Sequence, residues 1–418
     1  MSRNGAAYQH RVAVTGIGIV SPIGTGVRAF WEATLAGEIG VGALTRFDAS
    51  GFGSRVAAQI DEFDPAGFVP VNRLRRTDRY AQFSIAAARL ALEDAAFSID
   101  GKGDEIGVWL GSALGGLAFA EEQHSGFHVR GAKAVRPLLA ISVFVGAGTS
   151  NVALEFGLRG PNVANANSCA AGTVAIGEAF RAVARGDVRA ALAGGAEAPL
   201  SPLVFGSFAV IRAMSTRNDD PPHASRPFDA GRDGFVMSEG AGMLILERYE
   251  DALARGARIY GEIAGFGLTG DAHHMTAPLP EGTSAARAMT EALREARVAP
   301  DEVELFNAHG SSSQLNDATE TRSLQRAFGP AAARLPVTAT KGQHGHALGA
   351  SGAWEAALSL LAMHERRVPR IVNLENADPA CDLDFVREER ALAPRVVLSN
   401  STGFGGINAA LVLRAAES

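Results

Sequence analysis

Val12-Ala-Val-Thr-Gly-Ile-Gly-Ile-Val-Ser-Pro22 is a β-branched run broken by a Gly-x-Gly step, and a weaker copy, Gly261-Glu-Ile-Ala-Gly-Phe-Gly-Leu-Thr-Gly270, stands in the second half of the chain. Each reads as a strand whose glycines let something approach the backbone closely. The duplication continues outward. Residues 160–188 run strand, Asn-Ser-Cys turn, alanine-rich helix; residues 335–368 run strand, Lys/Gly/His turn, alanine-rich helix. Each is followed by a strand ending in glycines, at Gly194-Gly195 and at 403–406. Between them, residues 80–96 have apolar side chains at helical spacing, and residues 106–110 and 190–193 are short buried strands. Such alternation predicts an α/β architecture with helices covering buried sheets. The chain divides into a half over residues 1–255 and a half over 256–418, with one composite site where equivalent turns meet.

A length of 418 residues allows two large or three ordinary domains, and 47% hydrophobic with 20% charged residues excludes a disordered or fibrous chain. The net charge of −6 gives no overall attraction to nucleic acid or an anionic membrane, so an acidic partner must meet a local basic patch. Two cysteines, Cys169 and Cys381, cannot form a disulfide framework or a four-cysteine zinc site. Residues 1–20 lack the unbroken apolar stretch of a signal peptide, which sets a reducing cytoplasmic location as the expectation. The uncharged run 137–154 is interrupted by Ser142, Gly146, Gly148, Thr149, Ser150 and Asn151 and makes a poor membrane span.

Three segments carry candidate chemistry. In Asn167-Ser168-Cys169-Ala170-Ala171-Gly172, a cysteine on a turn opening a helix meets the positive end of the helix dipole, which favours thiolate. A buried inert cysteine is the competing reading. Phe306-Asn307-Ala308-His309-Gly310 puts a histidine at a strand end, and Lys341-Gly342-Gln343-His344-Gly345-His346 gathers three ionisable groups in one turn. Histidine there supplies a general base or a hydrogen-bond donor. His309, His344 and His346 could offer three nitrogens to a metal, but no zinc-like spacing supports one. Asn400-Ser401-Thr402-Gly403-Phe404-Gly405-Gly406 frees backbone N–H groups that can hold an oxyanion, unless it is a plain glycine-rich hairpin.

Cys169, His309 and His346, with Lys341 five residues before the second histidine and the Gly403-Phe-Gly-Gly406 tail, resemble the elongating Cys-His-His type of β-ketoacyl-[acyl-carrier-protein] synthase in the thiolase superfamily. The resemblance runs from Val12 to Val412 and includes Ala213-Met-Ser-Thr-Arg-Asn-Asp, Ser225-Arg-Pro-Phe-Asp and Asp233-Gly-Phe-Val-Met-Ser-Glu-Gly-Ala-Gly. It implies a duplicated thiolase fold in five layers, αβαβα, and decarboxylative Claisen condensation of an acyl thioester with malonyl on an acyl carrier protein. Cys169 would take the acyl chain, His309 and His346 would promote decarboxylation, and Lys341 would tune the histidines. The N–H groups of Cys169 and Phe404 would form the oxyanion hole, with Phe404 also a gate. Leu114 falls where the family lines its acyl pocket, although a plain core leucine reads the same way. Glu320 matches a position that would hold Lys341, although a solvated helix face reads the same way. Arg73, Arg75, Arg76 and Arg79, with Arg212, would dock the acidic carrier.

The same resemblance implies no metal and no cofactor beyond the phosphopantetheine arm of the carrier, and a dimer, either homodimeric or heterodimeric with a chain-length factor. Three departures bear on the acyl substrate: Gly310-Ser-Ser-Ser for Gly-Thr-Ser-Thr, His344 inside the lysine motif, and Thr402 where many members have an aromatic residue. They tilt the expectation slightly toward a dedicated polyketide subunit. A thiolase-like enzyme would need a second active-site cysteine, and Cys381 lies in no glycine-rich turn. A non-catalytic partner subunit would lack the nucleophile.

Overall fold

The computed structural model describes residues 8–417; of the stretch read above for a signal peptide, residues 1–7 lie outside the described residues. Ten strands carry the architecture: β1 (Val12–Ser21), β2 (Ile106–Gly111), β3 (Asn162–Asn165), β4 (Ala190–Glu197), β5 (Gly240–Arg248), β6 (Gly261–Gly270), β7 (Leu305–Asn307), β8 (Pro336–Thr338), β9 (Val396–Gly403) and β10 (Ile407–Arg414). Their order is β8-β7-β9-β10-β6-β1-β5-β4-β2-β3. Reading outward from the centre, β1-β5-β4-β2-β3 and β6-β10-β9-β7-β8 are the same arrangement twice. In each, the first two pairings are antiparallel and the last two parallel. The halves meet through a short antiparallel contact, Val12 to Val14 of β1 against Ile263 to Gly261 of β6.

Six helices complete the layers: α1 (Arg79–Asp94), α2 (Ala147–Phe156), α3 (Ala171–Arg185), α4 (Thr283–Ala296), α5 (Gln314–Phe328) and α6 (Ser351–Glu365). α3 packs on β2, β4 and β5 of the first half and also on β6 and β10 of the second; α6 does the same with β4, β5, β6, β9 and β10. These two helices fill the space between the sheets, with α1 and α2 outside one sheet and α4 and α5 outside the other. The result is the five-layered αβαβα thiolase fold. Both central helices are alanine-rich because both sides of each must fit against a sheet. In α6, residues 351–363 are all buried, Trp354 among them.

The repeated Gly-x-Gly step now has a cause. A Cβ on Gly16 or Gly18 would lie 2.3 Å from the Ala91 carbonyl and 1.9 Å from that of Ala87, both on α1. Gly265 and Gly267 meet Ala292 and Ala288 of α4 at 2.2 and 1.9 Å. The paired glycines seat equivalent outer helices directly on equivalent strands. Elsewhere the sequence expectation needs correction. Gly194-Gly195 does not close its strand: β4 runs through both glycines to Glu197. They are needed inside the strand because a Cβ on Gly194 would strike the Gly242 carbonyl at 1.9 Å and one on Gly195 the Gly349 carbonyl at 2.1 Å.

Candidate active site

Cys169 sits in the one-turn helix Ser168–Ala170 that leads into α3, and its predecessor Ser168 takes the uncommon φ of 52° for a non-glycine residue. The end of β9 closes over this turn. A Cβ on Gly403 would lie 3.1 Å from the Cys169 nitrogen, so glycine lets the 403–406 loop approach the cysteine. The Phe404 backbone N–H points at the Cys169 sulfur, where it favours the thiolate. Burial is the stronger influence and pushes the thiol up to about 11. Burial therefore opposes the thiolate that the helix terminus and the Phe404 N–H favour.

His309 follows the end of β7, and His346 follows the turn Lys341–His344. The two imidazoles stand edge to face, with centroids 5.1 Å apart and planes at 85°. With Cys169 they line one cavity of about 310 Å³. Its wall is apolar at Phe208, Phe235 and Leu348, and polar at Ser311, Ser313, Asn316, Thr402 and Asn408. His346 belongs to the second half but is pinned by the first: its N–H donates to the Val236 carbonyl at 2.7 Å, and its carbonyl accepts from Ser238 N–H at 3.0 Å. The site is composite in this literal sense.

Lys341 is wholly buried, and its ammonium donates to the Glu355 carboxylate, the His309 carbonyl and, at 3.4 Å, His309 Nδ1. An ammonium has no lone pair, so Nδ1 must accept, and the His309 proton resides on Nε2. His346 Nδ1 lies 2.9 Å from Ser351 Oγ; with that hydroxyl donating, this ring too carries its proton on Nε2. Burial, then the Lys341 charge, holds both histidines well below the usual imidazole range, so both are neutral donors at pH 7. Burial raises Glu355 to about 7 against the opposing pull of Lys341.

Glu320 does not hold Lys341. Its carboxylate accepts from the backbone N–H groups of His309 (2.7 Å) and Gly310 (2.9 Å) and from Asn400 Nδ2 (2.7 Å), fixing the turn that carries His309. The lysine's acid is Glu355, on buried α6, and sequence reading passed over it because a lone glutamate in an alanine-rich helix looks like a solvated position. A hydroxyl chain extends from it: Ser401 Oγ lies 3.5 Å from Glu355 Oε2 and 2.7 Å from Thr173 Oγ1 on α3.

His344 is kept out of this chemistry. Its Nδ1 meets the Gly345 carbonyl (2.8 Å) and its Nε2 the Thr340 hydroxyl (2.9 Å), and its ring packs edge-on against Trp354. Burial lowers it to about 3. Thr402 donates to Asn316 Oδ1 at 2.6 Å. Phe404 stacks on Phe208, Phe208 meets Phe235 edge-on, and Phe235 meets His346 edge-on, an aromatic series from the 403–406 loop to the second histidine. Leu114 is not in the cavity wall; it packs in the apolar cluster on which Cys169 also borders, with Leu200, Phe205 and Leu348. Cys381 is buried in a separate core. Among the described residues no group of three or more His, Cys, Asp or Glu is placed to hold a metal ion.

The arginine segment divides. Arg73 pairs with Glu155 at 2.6 Å, and Arg79 shares the buried Glu239 with Arg46, so these two hold the fold together. Arg75 and Arg76 are exposed, and Arg212, also exposed, stands at the cavity with φ 56°.

Residues 9–252 match the family described as "Beta-ketoacyl synthase, N-terminal domain" and residues 260–375 the "Beta-ketoacyl synthase, C-terminal domain". The chain belongs to the β-ketoacyl synthase family. A 3-oxoacyl-[acyl-carrier-protein] synthase 2 from Synechocystis sp. is 45% identical over 97% of this chain and 98% of its own length. Among solved structures, the ishigamide ketosynthase/chain length factor superposes with a TM-score of 0.91 at 34% identity, covering 98% of this chain and 100% of that one. A type II polyketide synthase acyl-carrier protein in complex with its ketosynthase gives 0.91 at 33% identity, with the same coverage. In this synthase, no described helix is long and apolar enough to cross a membrane.

Proposed function

We propose that this β-ketoacyl synthase extends acyl chains by two carbons: Cys169 takes the acyl group from a carrier thioester, and a malonyl carrier then loses CO2 and attacks that thioester. The observation that carries the reading is the meeting of Cys169, His309 and His346 in one cavity, both imidazoles neutral and the proton of His309 fixed on Nε2. Loss of CO2 leaves an enolate whose oxygen bears the charge, and two neutral N–H donors stabilise it without first giving up a proton. The carbanion then attacks the Cys169 acyl carbonyl, the carbon–sulfur bond breaks, and the 3-oxoacyl chain leaves on the carrier. The Cys169 and Phe404 N–H groups serve the oxyanion of both acyl-transfer steps, and Phe404 gates the cavity between them. The carrier's phosphopantetheine arm is part of the substrate, and no other cofactor takes part.

The identity of 45% to a 3-oxoacyl-[acyl-carrier-protein] synthase 2, against 34% and 33% to the polyketide assemblies, favours elongation in fatty acid synthesis over a dedicated polyketide role. The two halves join after residue 255, ahead of β6. A dimer forms through the outer edge of β3, where Asn162 and Val163 are exposed and Leu154 of the adjoining α2 is 73% exposed. A second copy of the chain is the partner, and sedimentation of the pure protein separates this from a heterodimer. Arg75, Arg76 and Arg212 meet the acidic carrier.

The test is product analysis with acyl carrier and malonyl carrier together. One CO2 and one 3-oxoacyl carrier per turnover support the reading, and Cys169→Ala yields no 3-oxoacyl carrier. Release of free acid instead of a longer chain contradicts it.

A further inference from the structure

Beside the apolar cluster that includes Cys169, one carboxylate gathers both halves of the chain. Glu197, the last residue of β4, is completely buried. Its Oε1 accepts from Ser112 Oγ (2.8 Å) and Leu114 N–H (3.1 Å), and its Oε2 from Ala113 N–H (2.7 Å) and Gly349 N–H (3.0 Å). Residues 112–114 belong to the first half and Gly349 to the second. Gly349 must be glycine here: a Cβ would lie 2.9 Å from Glu197 Oε2 and 2.7 Å from Ser112 Cα. Its carbonyl in turn faces Gly172 at the start of the nucleophile helix. The side chains that this turn carries, Ala113 and Leu114, pack in the apolar cluster that Cys169 borders.

All four partners donate, and only a carboxylate can accept from all of them. An amide in its place would turn an NH2 toward an N–H group, at Leu114 or at Ala113 and Gly349. Ser112 can rotate its hydroxyl to accommodate that, but the backbone N–H groups cannot.

We propose that Glu197 is a positioning residue that fixes the 112–114 turn and so sets how readily the packed apolar cluster beside Cys169 opens to an acyl chain. This rests on the reading that Cys169 is acylated. An acetyl group adds two carbons beside this cluster, whereas a long chain has to enter it and displace Ala113 and Leu114. Glu197 therefore governs the ratio of long-chain to short-chain loading, beyond any effect on stability.

The experiment follows acylation of Cys169 by intact mass over time, with acetyl carrier and with tetradecanoyl carrier, in wild type, Glu197→Gln and Ser112→Ala. In Glu197→Gln the long-to-short loading ratio is expected to fall about tenfold, and in Ser112→Ala, which keeps the carboxylate and loses one donor, about two- to threefold. If Glu197→Gln does not fold, Ser112→Ala decides alone. An unchanged ratio in the folded variants, even with both rates reduced equally, overturns the proposal, because a merely structural role slows both chains alike. Wild type that loads neither chain counts against the acylation reading itself, not against Glu197.

Discussion

Lys341 Nζ lies 3.4 Å from His309 Nδ1 while its charge is met by Glu355, so one buried lysine orients an imidazole that burial, reinforced by the lysine's charge, keeps neutral. The three residues come from a strand end, a turn and a central helix of the same half. Cys169, which shares the His309 cavity, comes from the other half.

Breaking this pair from one side is costly. Lys341→Met leaves Glu355 buried without its cation, and a loss of about 3–5 kcal/mol is expected, read as a lower unfolding temperature. Lys341→Met with Glu355→Gln recovers part of it. Condensation stays low in both, because His309 loses the donor that fixes its tautomer. Thermal melts with a CO2-release assay check this; full activity in the double variant would contradict it.

His344 makes a pH signature. It is neutral when folded, with its value lowered to about 3, while in the unfolded chain it binds a proton near 6.5. Below 6.5 the unfolded state therefore binds more protons, and the stability His344 contributes is lost as pH falls. The margin of wild type over His344→Gln is expected to narrow by about 1.4 kcal/mol per pH unit from 6.5 downward, measured by denaturant titration. A constant margin would show that His344 is not buried neutral.

Gly403→Ala would force a methyl to within 3.1 Å of the Cys169 nitrogen and 3.3 Å of Ser168 Cβ. The 403–406 loop must back away and take the Phe404 N–H with it. Acylation is expected to slow about 10- to 100-fold with little change in unfolding temperature, followed by intact mass over time.

The exposed and engaged arginines should behave differently. Arg75→Glu with Arg76→Glu is expected to raise the KM for the carrier about tenfold at low salt, fading as salt rises, with kcat unchanged. Arg73→Ala, which leaves Glu155 with Arg89 as its one remaining cation, should lower stability more than carrier affinity. Steady-state kinetics over a salt series, with melts, separates the two.

The repeated Gly-x-Gly step was legible in the sequence as a place of close approach, but not which atoms approached; those are the Ala87, Ala91, Ala288 and Ala292 carbonyls of helices far along the chain. Cys169, His309 and His346 stood out because each lies on a small-residue turn, where a reactive side chain needs room. Glu355 and Glu197 did not, since a carboxylate's partners are visible only once the sheets are stacked. For the same reason Glu320 was assigned the wrong partner. The opposing effect of burial on Cys169 was not legible, because the helix terminus can be read from local sequence, whereas burial depends on what closes over it.

The most direct test is intact mass of wild type and Cys169→Ala after exposure to an acyl carrier, then to malonyl carrier. The account predicts one acyl adduct on wild type only, discharged by malonyl carrier as a chain two carbons longer. An adduct that persists on Cys169→Ala, or an acyl group on wild type that malonyl carrier cannot discharge, would contradict it.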